Sequence, residues 1–161
     1  FMALTLIVKW LKGKREDYEV IGIDYAAPML AGAKRLLGRN KKVKLIQADL
    51  TNVDFPDNYF DSINIAHSFH ALPEPKRVLK ELYRVIKPGA KLYIDVLLSP
   101  RGNKFRQLIA KKFNSFCLKK GILSRTYGEE EAICYLKEFD FSLDESFIRG
   151  NTLHIIACKK S

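Results

Sequence analysis

The chain has 161 residues, 47% of them hydrophobic and 29% charged, with a formal net charge of +10. That length suffices for one domain with a buried core, and the composition is that of an ordinary globular protein. No apolar run approaches the roughly 18–20 residues that a membrane-spanning helix needs.

Phe1–Val8 is apolar but has neither a basic leader nor a small-residue cleavage site, so it does not read as a signal peptide. Cys117, Cys134 and Cys158 are odd in number, far apart and form no CxxC. They predict free thiols in a reducing cytoplasm, with no disulfide frame and no metal site. Between Val96 and Gly128 there are eight basic residues, from Arg101 to Arg125, and no acid. Such a segment attracts phosphates, carboxylates or an anionic membrane surface. A solvated lysine-rich face is the competing reading.

In chain order, Phe1 to Leu11 reads as a helix, with Leu4, Ile7, Val8 and Leu11 at 3–4 spacing. Gly13 and the turn Lys14–Asp17 stop it. Glu19–Ile23 is a short β-branched strand. Pro28 suits a first helical turn, and Met29, Leu30, Ala33, Leu36 and Leu37 carry that helix to Gly38. Val43–Gln47 and Asp61–Ala66 read as strands on either side of a loop through Pro56. Glu74–Ile86 is a helix with Val78, Leu79, Leu82, Val85 and Ile86 on its apolar face. Pro88-Gly89 ends it and turns into a strand at Lys91–Leu98. Alternation of this kind predicts right-handed crossovers and a mainly parallel sheet with helices on both faces.

After Leu98 the pattern changes. Asn103–Lys119 reads as a basic amphipathic helix with Phe105, Leu108, Ile109, Phe113 and Phe116 on one side. Glu129–Glu138 is a further helix. Phe141–Ile148 and Thr152–Cys158, joined through Arg149-Gly150-Asn151, read as a closing antiparallel hairpin.

Three phrases stand where the strands of such a sheet would end or begin: Val20-Ile-Gly-Ile-Asp24, Gln47-Ala-Asp49-Leu50 and Arg84-Val-Ile-Lys-Pro-Gly89. Ligands of doubly wound sheets bind at the carboxyl ends of the strands. Asp24 falls at one such end, where a carboxylate can accept two hydrogen bonds from a ribose. NAD-binding domains place an acid similarly, and strand-terminal acids also cap helices.

Together with Phe55-Pro-Asp-Asn-Tyr-Phe-Asp61, these phrases resemble the class I S-adenosylmethionine (SAM) dependent methyltransferases over residues 19 to 98. The likeness is to the small-molecule branch that includes the ubiquinone and menaquinone methyltransferases. The resemblance implies an α/β, Rossmann-like sheet with a C-terminal antiparallel hairpin, and one methyltransferase domain over 1–161. It implies that Asp24 binds the cofactor ribose and that Asp49 accepts from the adenine amine. Leu50 would offer its backbone amide and an apolar face to the ring, and Tyr25 and Met29 would pack around ribose and adenine. Ala66 and His67 would lie beside the methionine part of SAM and the methyl acceptor, with S-adenosylhomocysteine as product. His67 is the candidate general base, and His70 falls where the family often carries a histidine.

The family's first strand and its glycine-rich turn have no counterpart in the sequence. The expectation is therefore a sheet lacking its central strand, in a protein that extends upstream through both. Residues 99–128 fall in the family's variable substrate cap. Three readings of its basic helix stay open: a lid over a small apolar acceptor, a contact with an anionic membrane, and a contact with RNA. Methyl transfer to a small or lipophilic organic acceptor is the expected function. The rivals are a catalytically silent methyltransferase-like subunit that binds a partner, an RNA methyltransferase, and a nucleotide-dependent oxidoreductase.

Overall fold

The computed structural model describes residues 5–10, 18–37, 39–100, 103–120 and 123–160. The turn at Gly13 to Asp17, the helix end at Gly38, and Arg101 lie outside them. Seven strands form one sheet: β1 (Thr5–Trp10), β2 (Tyr18–Asp24), β3 (Val43–Gln47), β4 (Phe60–Ile65), β5 (Ile86–Leu97), β6 (Phe141–Arg149) and β7 (Thr152–Lys159). Their order across the sheet is β3-β2-β1-β4-β5-β7-β6. Among the described residues four α-helices complete the frame: α1 (Ala27–Leu37), α2 (Pro75–Val85), α3 (Lys104–Lys119) and α4 (Glu129–Glu138). No helix among the described residues is long and apolar enough to cross a membrane.

The predicted helix at Phe1–Leu11 is a strand over its described part, and the predicted gap at the centre of the sheet is filled. β1 lies between β2 and β4 and runs antiparallel to both. The reason is local and global at once. Thr5-Leu-Ile-Val-Lys-Trp10 is rich in residues that favour a pleated backbone, and a short apolar run is ambiguous by periodicity alone. Without β1, the inner edges of β2 and β4 would leave backbone donors and acceptors unpaired in the middle of the sheet. The sheet is consequently mixed, not mainly parallel. β2–β3 and β4–β5 are parallel, whereas β1–β2, β1–β4, β5–β7 and β6–β7 are antiparallel.

The remaining elements follow the periodicities. Pro75 opens α2, which buries Val78, Leu79, Leu82 and Val85 on one face. Burying a side chain of this size contributes about 1.5–3 kcal/mol. Along β5 and β7 every second residue is buried: Leu92, Ile94 and Val96 on one strand, Leu153, Ile155 and Ala157 on the other. The hairpin turns through Gly150 at φ 64°, a left-handed conformation suited to the first position of a two-residue loop. Pro88 and Gly89 do not lead into β5 but sit inside it. The β4–β5 ladder jumps from Phe60–Ile86 to Ser62–Lys91, and Gly89 takes φ 73° in the bulge.

Two cations pin the amino ends of the parallel strands. Arg84, at the end of α2, donates to the carbonyls of Val53 and Phe55 at 3.1 and 2.8 Å and to the carboxylates of Glu81 and Asp57 at 2.7 Å. Lys159 is buried; it donates to Asn58 Oδ1, Tyr83 O and Ile86 O at 2.6–2.9 Å and lies over the Tyr83 ring. Burial lowers its pKa.

Two outcomes test this frame. Ile7→Pro breaks a strand paired on both sides, through Ile21 and Ile63. It should destabilise the fold by about 3 kcal/mol or more in urea unfolding, whereas a peripheral β1 would tolerate it. Arg84→Ala should lose about 2 kcal/mol at neutral pH through its charged hydrogen bonds. Arg84 holds the Glu81 carboxyl below its ordinary 4.5. That contribution is complete above 4.5 and fades as pH falls through the folded pKa, so the gap between variant and wild type should narrow below pH 4.5.

Candidate functional site

β2 and β3 are parallel and pair Asp24 with Gln47, so both strands finish at one edge. β2 and β4 also finish together, because Ile23 and Ile65 both pair with Thr5 of β1. One edge therefore carries Asp24, Tyr25, Asp49, Ala66 and His67. Sequence reasoning named all five, and the topology brings their backbones to the same side of the sheet.

Each acid closes its own turn. Asp24 Oδ1 accepts from Ala26 N at 2.8 Å, and Asp49 Oδ1 accepts from Thr51 N at 2.8 Å. The two environments differ. Asp24 is partly buried, and desolvation raises its pKa against the opposing hydrogen bonds from the Ala26 and Tyr25 amides. Asp49 is exposed, and the hydrogen bond from the Thr51 amide lowers its pKa. Gln47 Nε2 donates to Tyr25 O at 3.1 Å and ties the turn after β2 to the end of β3. Tyr25 projects into solvent, and Met29 is half-buried on α1. Leu50 is buried, as a member of the core cluster that also holds Ile21, Val53 and Val78. Only its backbone is left to meet a ring.

At the end of β4 the geometry is richer than the sequence suggested. His67 takes φ 51°, a left-handed conformation uncommon outside glycine, and is exposed. Its Nε2 lies 3.8 Å from Asp95 Oδ2. The other oxygen of Asp95 is 2.5 Å from His154 Nδ1, and Phe147 stacks on the His154 ring at 4.9 Å. Asp95 and His154 are direct partners across β5–β7. One carboxylate thus stands between two of the chain's three histidines. Neither Asp95 nor His154 was singled out from sequence, since 59 residues separate them and no motif links them. Period-2 alternation along both strands is the signal that could have found them: each is a polar residue on the face opposite the buried one.

The third histidine, His70, lies in the short 3₁₀ turn Phe69–Ala71. Burial, then the neighbouring His67, lower its pKa against the pull of Asp95. His70 Nδ1, Ser68 Oγ and Tyr127 OH are buried with no hydrogen-bond partner among the described residues. Tyr127 packs 5.4 Å from Phe69, and burial pushes its hydroxyl up to about 12. These unmet polar atoms gather beside the turn that follows β4.

On α3, Phe105, Phe113 and Phe116 are exposed. A cleft lined by Thr51, Asp57, Arg77, Glu81, Arg84 and Lys159 adjoins the Asp49 turn through Thr51, from whose amide Asp49 accepts a hydrogen bond. The predicted edge itself is open, with Tyr25, Asp49 and His67 exposed.

Comparison with known proteins places this geometry. A family profile described as a methyltransferase domain matches residues 5–94. Demethylmenaquinone methyltransferase of Thermus thermophilus is 40% identical over 85 residues, covering 52% of this chain and 39% of that protein. The protein of the same name from Renibacterium salmoninarum is 30% identical over 122 residues, covering 74% of this chain and 48% of that one. The chain thus spans less than half the length of these curated relatives. Among solved structures, a SAM-dependent methyltransferase from Methanosarcina mazei superposes with a TM-score of 0.69 at 18% identity, over 87% of this chain and 81% of that chain. One from Aquifex aeolicus gives 0.67 at 24%, over 88% and 69%. The last two show the shared fold. A profile matching more than half of the residues shows that the chain belongs to the class I SAM-dependent methyltransferase family.

Proposed function

We propose that this protein binds SAM along the edge formed by Asp24, Asp49 and His67 and transfers its methyl group to a small or lipophilic organic acceptor. The observation that carries the reading is the meeting of two acid-bearing turns at the ends of hydrogen-bonded parallel strands, level with the end of β4. The donor set suits an adenosine. Asp24, partly desolvated and set at a strand end, matches the vicinal hydroxyls of a ribose. Asp49 keeps its charge and faces solvent, as an acceptor for an exocyclic amine requires. The Leu50 amide and the half-buried Met29 suit the ring.

Bound SAM supplies an activated methyl group on a sulfonium, so the protein's own share is orientation and removal of an acceptor proton. His67 is the group suited to take that proton, and its exposed ring at the strand end lies within reach of an entering molecule. Asp95 is a positioning residue: its Oδ2 lies 3.8 Å from His67 Nε2, on the side from which it can orient that ring. His154, held by the same carboxylate and stacked on Phe147, fixes Asp95 in turn. Relatives named demethylmenaquinone methyltransferases favour a quinol-like acceptor over RNA.

One observation favours a second reading, a methyltransferase-like subunit without activity. β1 runs antiparallel to β2 and β4, so it cannot feed a glycine turn into the cofactor edge as a parallel strand would. Calorimetry with S-adenosylhomocysteine separates the two: binding supports the enzyme, and no binding favours the silent subunit. Asp24→Ala should weaken that binding by about 1.5–3 kcal/mol, and unchanged affinity would remove Asp24 from the site. His67→Gln should lower kcat by about 10²–10⁴-fold with an acceptor that must lose a proton, leaving S-adenosylhomocysteine affinity intact. Asp95→Asn should lower kcat with the same acceptor and add little to the loss in His67→Gln; fully additive losses remove Asp95 from that role.

A further inference from the structure

The helix α3 is built inside out. Its half-buried or buried positions are Gln107, Ala110, Asn114 and Cys117, three or four residues apart and small or polar. The opposite side bears Phe105, Ile109, Phe113 and Phe116, which are 70%, 54%, 65% and 55% exposed, with Leu108 beside them at 54%. In water a helix buries its large apolar stripe and shows its polar one. Single exposed apolar residues are ordinary, but five on one helical face make a patch that marks a binding surface.

The charges around the patch select its occupant. Lys104, Lys111, Lys112, Lys119 and Lys120 are exposed on and just after α3, and residues 96 to 128 contain no acid. Lys112 and Lys119 flank the aromatic stripe, within reach of whatever covers it. A second copy of the chain would bring two acid-free basic segments together, which like-charge repulsion disfavours. Nucleic acid would satisfy the lysines but leave Leu108 and Ile109 in water, since aliphatic side chains offer no stacking surface to bases. A bilayer with anionic headgroups meets both demands. Its acyl boundary accepts Phe and Ile, its headgroups meet the ammonium groups, and lysine stems reach between the two levels.

We propose that α3 seats this protein on an anionic lipid surface, with Phe105, Ile109, Phe113 and Phe116 entering the acyl boundary and the lysines among the headgroups. The inference is independent of the methyl-transfer reading, because none of these residues belongs to the edge that carries Asp24 and His67.

Sedimentation of the full chain with vesicles tests it. Vesicles of phosphatidylcholine mixed with phosphatidylglycerol should bind at least roughly tenfold more protein than phosphatidylcholine alone, and salt should weaken the difference. The double variant Phe113→Asp, Phe116→Asp should lose vesicle binding while keeping the wild-type circular dichroism and melting transition, because both side chains are exposed. Equal binding to the two vesicle types, no binding to either, or undiminished binding by the double variant would overturn the proposal. So would light scattering that finds a wild-type dimer abolished by the same substitutions, which would make the patch an interface between copies. Retention of single-stranded RNA without retention of vesicles would reassign it to nucleic acid.

Discussion

The sheet depends on backbone pairing at its centre. β2 and β4 carry the residues that define the candidate site, yet they are not neighbours; β1 lies between them and bonds to each. Through Thr5 it sets Ile23 and Ile65 at one level, and Asp24 and Ala66 follow from that register. A one-residue slip on either side of β1 would turn the alternation of side chains over and separate the acids from His67. The chemistry at the edge is thus positioned by hydrogen bonds several residues away from it.

The basic residues of this chain do two different kinds of work. Arg84 and Lys159 spend their donors on backbone carbonyls and on neighbours of the loop before β4, and so hold the amino ends of the parallel strands together. Lys159 does this through neutral oxygens and the face of Tyr83. The lysines of α3 have no such employment and remain at the surface. A net charge of +10 therefore says little until each cation is placed.

Elements with strong local signals were legible before any coordinates. α2 was visible from its apolar spacing and Pro75, the closing hairpin from Gly150, and the order of strands and helices from their alternation. The positions of Asp24 and Asp49 after successive strands were legible for the same reason. β1 was not, because six residues of mixed periodicity satisfy a helix and a strand equally and only the unpaired neighbours decide. Nor was the Asp95–His154 contact, which exists only once β5 and β7 pair. The orientation of α3 was half legible: the stripe of Phe105 to Phe116 was evident, but which way it faces depends on Gln107, Asn114 and Cys117.

The reversed direction of β1 has a kinetic corollary. A parallel central strand must be joined to its neighbour by a crossover, so its contacts are remote along the chain. Here Trp10 meets Tyr18 and Thr5 meets Ile23, and the middle of the sheet begins as a local ribbon. Contact order falls for that pair, and closing so short a loop is quick. Pairing with β4 is the remote contact of this strand, since Thr5 meets Ile65 much further along the chain.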